Sequence, residues 1–125
     1  MPYLIRIESG DAAIKGELND TPTAKAIWEK LPIKGKVNTW GEEIYFQIPV
    51  EEKLASDARE DVELGEIGYW PVGQALCIFF GPTPVSVGDK PRAASPVNPV
   101  GRLLENPAPL RKVRSGAAIL IEAGK

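Results

Sequence analysis

Few side chains in this sequence could do chemistry, and their types narrow what that chemistry could be. There is no histidine, and Cys77 is the single cysteine. Without histidine neither a Ser-His nor a Cys-His nucleophile pair can be assembled, and imidazole metal ligands are excluded as well. One cysteine cannot close an intrachain disulfide or build a thiolate zinc site. Any metal would need carboxylate or amide oxygens, and neither a metal nor another cofactor is expected. Cys77 itself lies in the apolar run Ala75 to Phe80, where burial raises a thiol pKa and leaves it inert. Glu42 and Glu43 are adjacent in a segment that reads as a strand, so their side chains leave on opposite faces. They are not a natural catalytic carboxylate pair; Glu43 is the one to place facing a cleft, with its neighbour solvated. Trp40, Tyr69 and Trp70 could form an aromatic platform for a peptide or small apolar ligand, or pack as the rim that seals the end of a barrel. Ser95 and Asn98, in "ASPVNPVG", are of the kind that satisfies loop backbone groups or supplies polar contacts to a ligand.

These residues have to be positioned by a β-rich scaffold. "PYLIRIESG", residues 2–10, alternates Tyr3, Ile5 and Ile7 against Leu4, Arg6 and Glu8 and ends in a turn at Ser9-Gly10-Asp11; "AAIKGEL" returns as the partner of a hairpin. "NDTPTAKAIWEKLP" is the clearest helix, capped by Thr21, opened by Pro22 and stopped by Pro32. Its apolar stripe, Ala24, Ile27, Trp28 and Leu31, faces a sheet. Gly41 marks a turn or bulge, and Glu43 to Ile48 alternates as a half-buried strand. "EEKLASDARED" is a polar connection with room for a helical turn, and "QALCIFF" is a strand covered on both faces. Residues 81–101 carry five prolines, at 82, 84, 91, 96 and 99, and are expected to be a largely irregular loop. A strand "VGRLLEN", a short helix "PAPLRKVRSG" and a closing strand "AAILIEAG" finish the chain. The sum is an all-β dominated fold, a closed antiparallel β-barrel of about eight strands capped by two short helices.

A chain of 125 residues is most simply one domain, residues 1–125, large enough for a contiguous core. Fifteen basic and seventeen acidic residues leave a net charge of −2, without the basic excess typical of nucleic-acid binders. The longest apolar run is far too short to cross a bilayer and the N-terminus lacks a signal-peptide pattern, so a cytoplasmic protein without membrane or nucleic-acid partners is expected.

The order of the C-terminal elements, a buried "CIFFG" strand, a long loop, "VGRLLEN", "PLRKV" and "AAILIEA", resembles the end of cyclophilins, and the N-terminal hairpin followed by "TPTAKAIWEKLP" resembles their beginning. "VNTWGEEIYF", "GYWPVGQALCIFFG" and "SPVNPVGRL" are similar, more closely, to a small prokaryotic family of atypical cyclophilin-like proteins whose function is not established. The cyclophilin resemblance implies a prolyl isomerase site, in which an arginine on the strand after the first helix donates toward the prolyl nitrogen and favours the twisted amide over either planar form. The corresponding segment here reads "WGEEIYFQI", with Glu42 and Glu43 where the basic residue is expected, and an ionised acid offers no donor. Arg92 is the one displaced donor to consider. Phe79 or Phe80 falls at the place of the cyclophilin pocket phenylalanine.

The expected function is therefore binding of a peptide or small molecule in a cleft formed by Trp40, Glu43, Tyr45, Trp70, Phe79 and Asn98, with weak or no isomerase activity. The alternatives are an isomerase that uses Arg92, a substrate-holding subunit of an amide- or urea-processing enzyme, and a homo-oligomer that buries the aromatic rim between subunits.

Overall fold

In the computed structural model residues 3–124 are described; Pro2, the first residue of the expected N-terminal strand, lies outside them. The hairpin forms as its alternation requires. Strands β1 (Tyr3–Ser9) and β2 (Ala12–Leu18) pair antiparallel, with Ile7 opposite Ile14 and Ile5 opposite Gly16. Ile5 and Ile7 are buried while Leu4 and Arg6 are exposed. Helix α1 (Pro22–Lys30) begins where Thr21 accepts the Ala24 N–H on its side chain and ends at the Leu31 cap, one residue before Pro32. Ala24 and Ile27 are fully buried, with Trp28 and Leu31 packed at the edge of the core.

The remaining strands are β3 (Ile33–Lys36), β4 (Asn38–Thr39), β5 (Glu43–Gln47), β6 (Arg59–Asp61), β7 (Glu66–Trp70), β8 (Ala75–Phe79), β9 (Arg92–Leu103) and β10 (Ala118–Ala123). They form one antiparallel sheet in the order β3-β10-β1-β2-β9-β7-β8-β5-β4, with β6 branching from β9. Among the described residues ten strands replace the eight expected, and the sheet does not close into a barrel. Both edges of β5 are already used, by β8 and by β4, so the terminal strand β3 meets β5 through packing alone, Gly35 lying against the Phe46 ring. Of the two expected helices one is α-helical; the second is a five-residue 3-10 segment, Ala108–Lys112. The polar connection after β5 holds β6 instead of a helical turn.

The proline-rich stretch differs most from expectation. Residues 81–91 are irregular, but Arg92 to Leu103 is the longest strand of the fold. Proline lacks the ladder N–H and is tolerated in strands at edges and bulges, and that is where both of its prolines fall. Ile67 pairs with Gly101 but Gly68 with Pro99, so the ladder to β7 slips at this proline. Arg59 pairs with Val97 and Asp61 with Arg92, five steps along β9 against two along β6, and Pro96 lies in the extra length that bows out.

The two faces of β8 belong to two clusters. Leu76 and Ile78 join the main core with Ile5, Ile7, Ile14, Leu18, Ile44, Phe46, Ile67, Tyr69, Ile119, Ile121 and the helix. Cys77 and Phe79 join a smaller cluster with Val62, Ala93 and Val97, edged by Tyr45 and Trp70. Gly101 holds β9 against β2, because a Cβ at this position would overlap the Glu17 carbonyl oxygen, a backbone atom that cannot swing away. Gly101→Ala is expected to cost at least about 2 kcal/mol in urea denaturation; a loss below about 0.5 kcal/mol would contradict this packing.

Candidate functional site

The site lies on the smaller-cluster face of the sheet and is built from three local features. The first is the turn into β5. Gly41 sits at φ +60° and the Trp40 N–H donates to the Glu43 carbonyl at 3.0 Å. Glu42 bonds outward, its carboxylate accepting from Arg111 Nε at 2.6 Å. Glu43, one position on, turns inward and is only 5% exposed. The opposite orientations expected of the two acids are therefore present.

The second feature is the connection from β7 to β8. Gln74, at φ +49°, donates its backbone N–H to the Pro71 carbonyl at 3.1 Å and its side-chain amide to the Ile48 carbonyl at 3.0 Å. Within this turn Gly73 lies directly beneath the Trp70 ring, where any Cβ would overlap the indole. Trp70 is thereby laid beside Tyr45, their ring centroids 6.3 Å apart and their planes at 87°. The Trp70 Nε1 is buried and has no hydrogen-bond partner among the described residues.

The third feature is the bow in β9. Its extra residues carry Ala93, Ala94 and Ser95 over the face of β5 and β8. Together with Trp40, Glu43, Tyr45, Trp70, Cys77 and Val97 they line a partly open cavity of about 260 Å³. A wider depression of about 760 Å³ near β2 and β7 is lined by Glu17, Arg59, Glu66 and Arg102 among others. Both of its arginines are paired within the chain, Arg59 with Glu66 and Arg102 with Glu17, so among the described residues its lining offers no free cation.

Glu43 sets the electrostatics. Burial pushes its carboxyl up to about 7, partly offset by a hydrogen bond with Cys77 across the sheet. The Cys77 thiol is raised well above its ordinary value, first by burial and then by the neighbouring Glu43 carboxyl. A thiol held protonated in this way is a poor nucleophile. What the site offers is a carboxyl close to half ionised near neutral pH, able to accept or donate a hydrogen bond, framed by aromatic rings.

Of the residues singled out from sequence, Trp40, Glu43, Tyr45 and Trp70 come together around this cavity. Phe79 does not line it; it is fully buried in the cluster beneath. Asn98 lies away from the cavity, and its amide is spent on the chain: Oδ1 accepts from Ala55 N–H at 2.7 Å, and Nδ2 donates to the Lys53 carbonyl at 2.9 Å and Thr23 Oγ1 at 3.2 Å. Arg92 does not line the cavity, and its guanidinium faces Glu60 at 3.3 Å. Tyr69 packs in the main core, its hydroxyl donating to the Val50 carbonyl at 2.7 Å. Ala93, Ala94 and Val97 were not anticipated, since a segment read as an irregular loop gives no indication of which of its residues face a pocket.

The folded chain holds the Glu43 proton to about pH 7, against 4.5 for an ordinary glutamate. The native state therefore binds more protons than the unfolded state between these values, and stability falls as pH rises through that window. Glu43→Gln, which cannot ionise, should raise stability by about 3 kcal/mol above pH 7 and flatten the dependence on pH. Denaturation midpoints measured across the window check this; identical pH profiles for the two proteins would contradict a buried, raised carboxyl.

The cyclophilin-like family model matches residues 3–122. Among solved structures, the solution structure of the hypothetical protein AF2241 from Archaeoglobus fulgidus is similar at 39% sequence identity, over 98% of this chain and 95% of that one, with a TM-score of 0.81. No curated protein matches the chain. A match over nearly the whole length, on a ten-strand antiparallel sheet with one α-helix, means that this chain belongs to the cyclophilin-like family.

Proposed function

We propose that this protein binds a small molecule, or a single side chain of a peptide, in the cavity framed by Trp40, Tyr45 and Trp70, and that it does not catalyse prolyl isomerisation. The observation that carries the reading is the cavity itself, in which aromatic rings surround one buried carboxyl. Pockets for small molecules are concave and mostly apolar, with a few convergent polar groups, and run upward from about 300 Å³. At about 260 Å³ this cavity stands just below that range, which favours a compact ligand over an extended peptide.

The cavity lacks the donors that isomerase chemistry needs. Rotation about the prolyl bond faces a barrier of about 18–20 kcal/mol and is accelerated by groups that bind the twisted amide better than the planar one. No arginine or lysine is among the cavity's lining residues, and Arg92 is directed to Glu60. A protonated Glu43 could donate, but near neutral pH about half of the molecules would lack that proton.

Exchange NMR on an Ala-Pro peptide should show the uncatalysed rate, with interconversion over roughly tens to hundreds of seconds; acceleration to the sub-second range would overturn the second half of the proposal. A fragment mixture screened by NMR should shift the indole signals of Trp40 and Trp70 and leave Trp28, at the helix, unmoved. Trp70→Ala should weaken any hit at least about tenfold. Absence of shifts at both cavity indoles would overturn the first half.

A further inference from the structure

We infer that the cavity is built for a methylated ammonium group carried by a small molecule, the three aromatic rings receiving its cationic head and Glu43 serving as counter-ion. This rests on the binding reading above and deepens it. Tyr45 and Trp70 meet edge to face, at 87° to each other with their centroids 6.3 Å apart, and both line the cavity together with Trp40. The face of an aromatic ring carries negative electrostatic potential, and a cation within about 6 Å of the centroid is attracted to it, more strongly when water is excluded.

Glu43 supplies the second observation. It is 5% exposed yet takes part in none of the ion pairs among the described residues, and its side-chain partner is the thiol of Cys77. A buried acid is usually paired with a positive group. Here the cavity wall provides none, so the partner of matching charge would have to come from the ligand. Tyr45 on β5 and Cys77 on β8 are the titratable groups lining the cavity with Glu43; β7 contributes Trp70, and β9 contributes Ala93, Ala94, Ser95 and Val97, none of which titrates. Glu42 is turned away to Arg111, and Arg92 to Glu60.

The same wall discriminates between ligand classes. An anion would meet a carboxylate and no cation. A primary ammonium brings three donors that need acceptors, and the cavity's side chains offer only the Glu43 carboxylate and the hydroxyls of Tyr45 and Ser95. N-methyl groups need no hydrogen bonds and pack on the rings and on the methyls of Ala93, Ala94 and Val97. A neutral apolar ligand would fit the rings but leave Glu43 without a partner.

The test compares choline with its neutral isostere 3,3-dimethylbutan-1-ol by titration of the Trp40 and Trp70 indole signals, at about pH 6 and about pH 8. Choline should bind at least about fivefold tighter than the isostere at the higher pH. With the Glu43 midpoint near 7, the ionised fraction, and with it choline affinity, should rise about tenfold between the two conditions, while the isostere should gain nothing. Glu43→Gln should remove the pH dependence and reduce the preference for choline to what the rings alone supply. Equal binding of the two compounds, or choline affinity that falls with pH, would overturn the ammonium assignment and leave a small-molecule cavity standing. Binding of the isostere alone would do the same. Binding of neither would overturn the assignment, and the fragment screen above would then decide the broader reading.

Discussion

Strand β8 has no polar face, and the rest of the architecture follows from having to cover it twice. Every residue from Ala75 to Phe79 is buried. Leu76 and Ile78 are covered by the curled sheet and its helix, as in any half-barrel, but Cys77 and Phe79 point out of that core and would face water if the sheet ended there. Burying an apolar side chain is worth about 1.5–3 kcal/mol, so leaving two of them exposed would be a large loss for a domain of this size. The cover comes from a branch of the same sheet: β6 and the bowed part of β9, paired with each other, bring Val62, Ala93 and Val97 onto that face. The bow is possible because β9 pairs with β6 out of step, with a proline in the excess length.

A cover assembled from a bulge does not fit as closely as a second sheet, and the gap it leaves is the cavity. Its far side is the start of β5, where strand alternation directs Glu43 inward beside Cys77. The carboxyl is thus a consequence of register: Glu42 and Glu43 occupy successive positions, and shifting β5 by one residue would exchange them and bury Glu42 in place of Glu43. That β5 keeps this register is enforced on its other face by Ile44 and Phe46 in the main core. Stability and site are coupled in this way, since the apolar alternation that locks β5 also holds an ionisable group where it lowers stability when charged. Polar groups kept at such a cost are commonly found where a protein meets its ligands.

The sequence was most informative where a single periodicity dominates. The hairpin, the capped helix and β5 follow from alternation, from Thr21 with Pro22, and from the Ile44-Phe46-Ile48 pattern. The inward turn of Glu43 and the face it shares with Tyr45 follow from the same alternation, whereas the approach of Trp40 and Trp70 is set by the turns at Gly41 and Gly73. Strand β9 was not legible, because five prolines between residues 81 and 101 outweigh its alternation unless the register slips that admit Pro96 and Pro99 are known, and those are set by β6 and β7. The open sheet was equally hidden: nothing local in "VNTWG" says that β4 will occupy the edge of β5 that a closed barrel needs. Asn98 was misplaced through the same segment. In a loop its amide could face either way; in a strand it falls on the face opposite Val97 and ties down the chain at Lys53 and Ala55.

The claim on which the account turns is that Glu43 is buried in an aromatic cavity without a counter-ion. The direct measurement is the pH titration of its side-chain carboxyl carbon by NMR in the free protein, assigned by its loss in Glu43→Gln. The account predicts a midpoint of about 7. A midpoint at the ordinary glutamate value of 4.5 would mean that the carboxyl is solvated or paired, which contradicts a buried acid without a counter-ion.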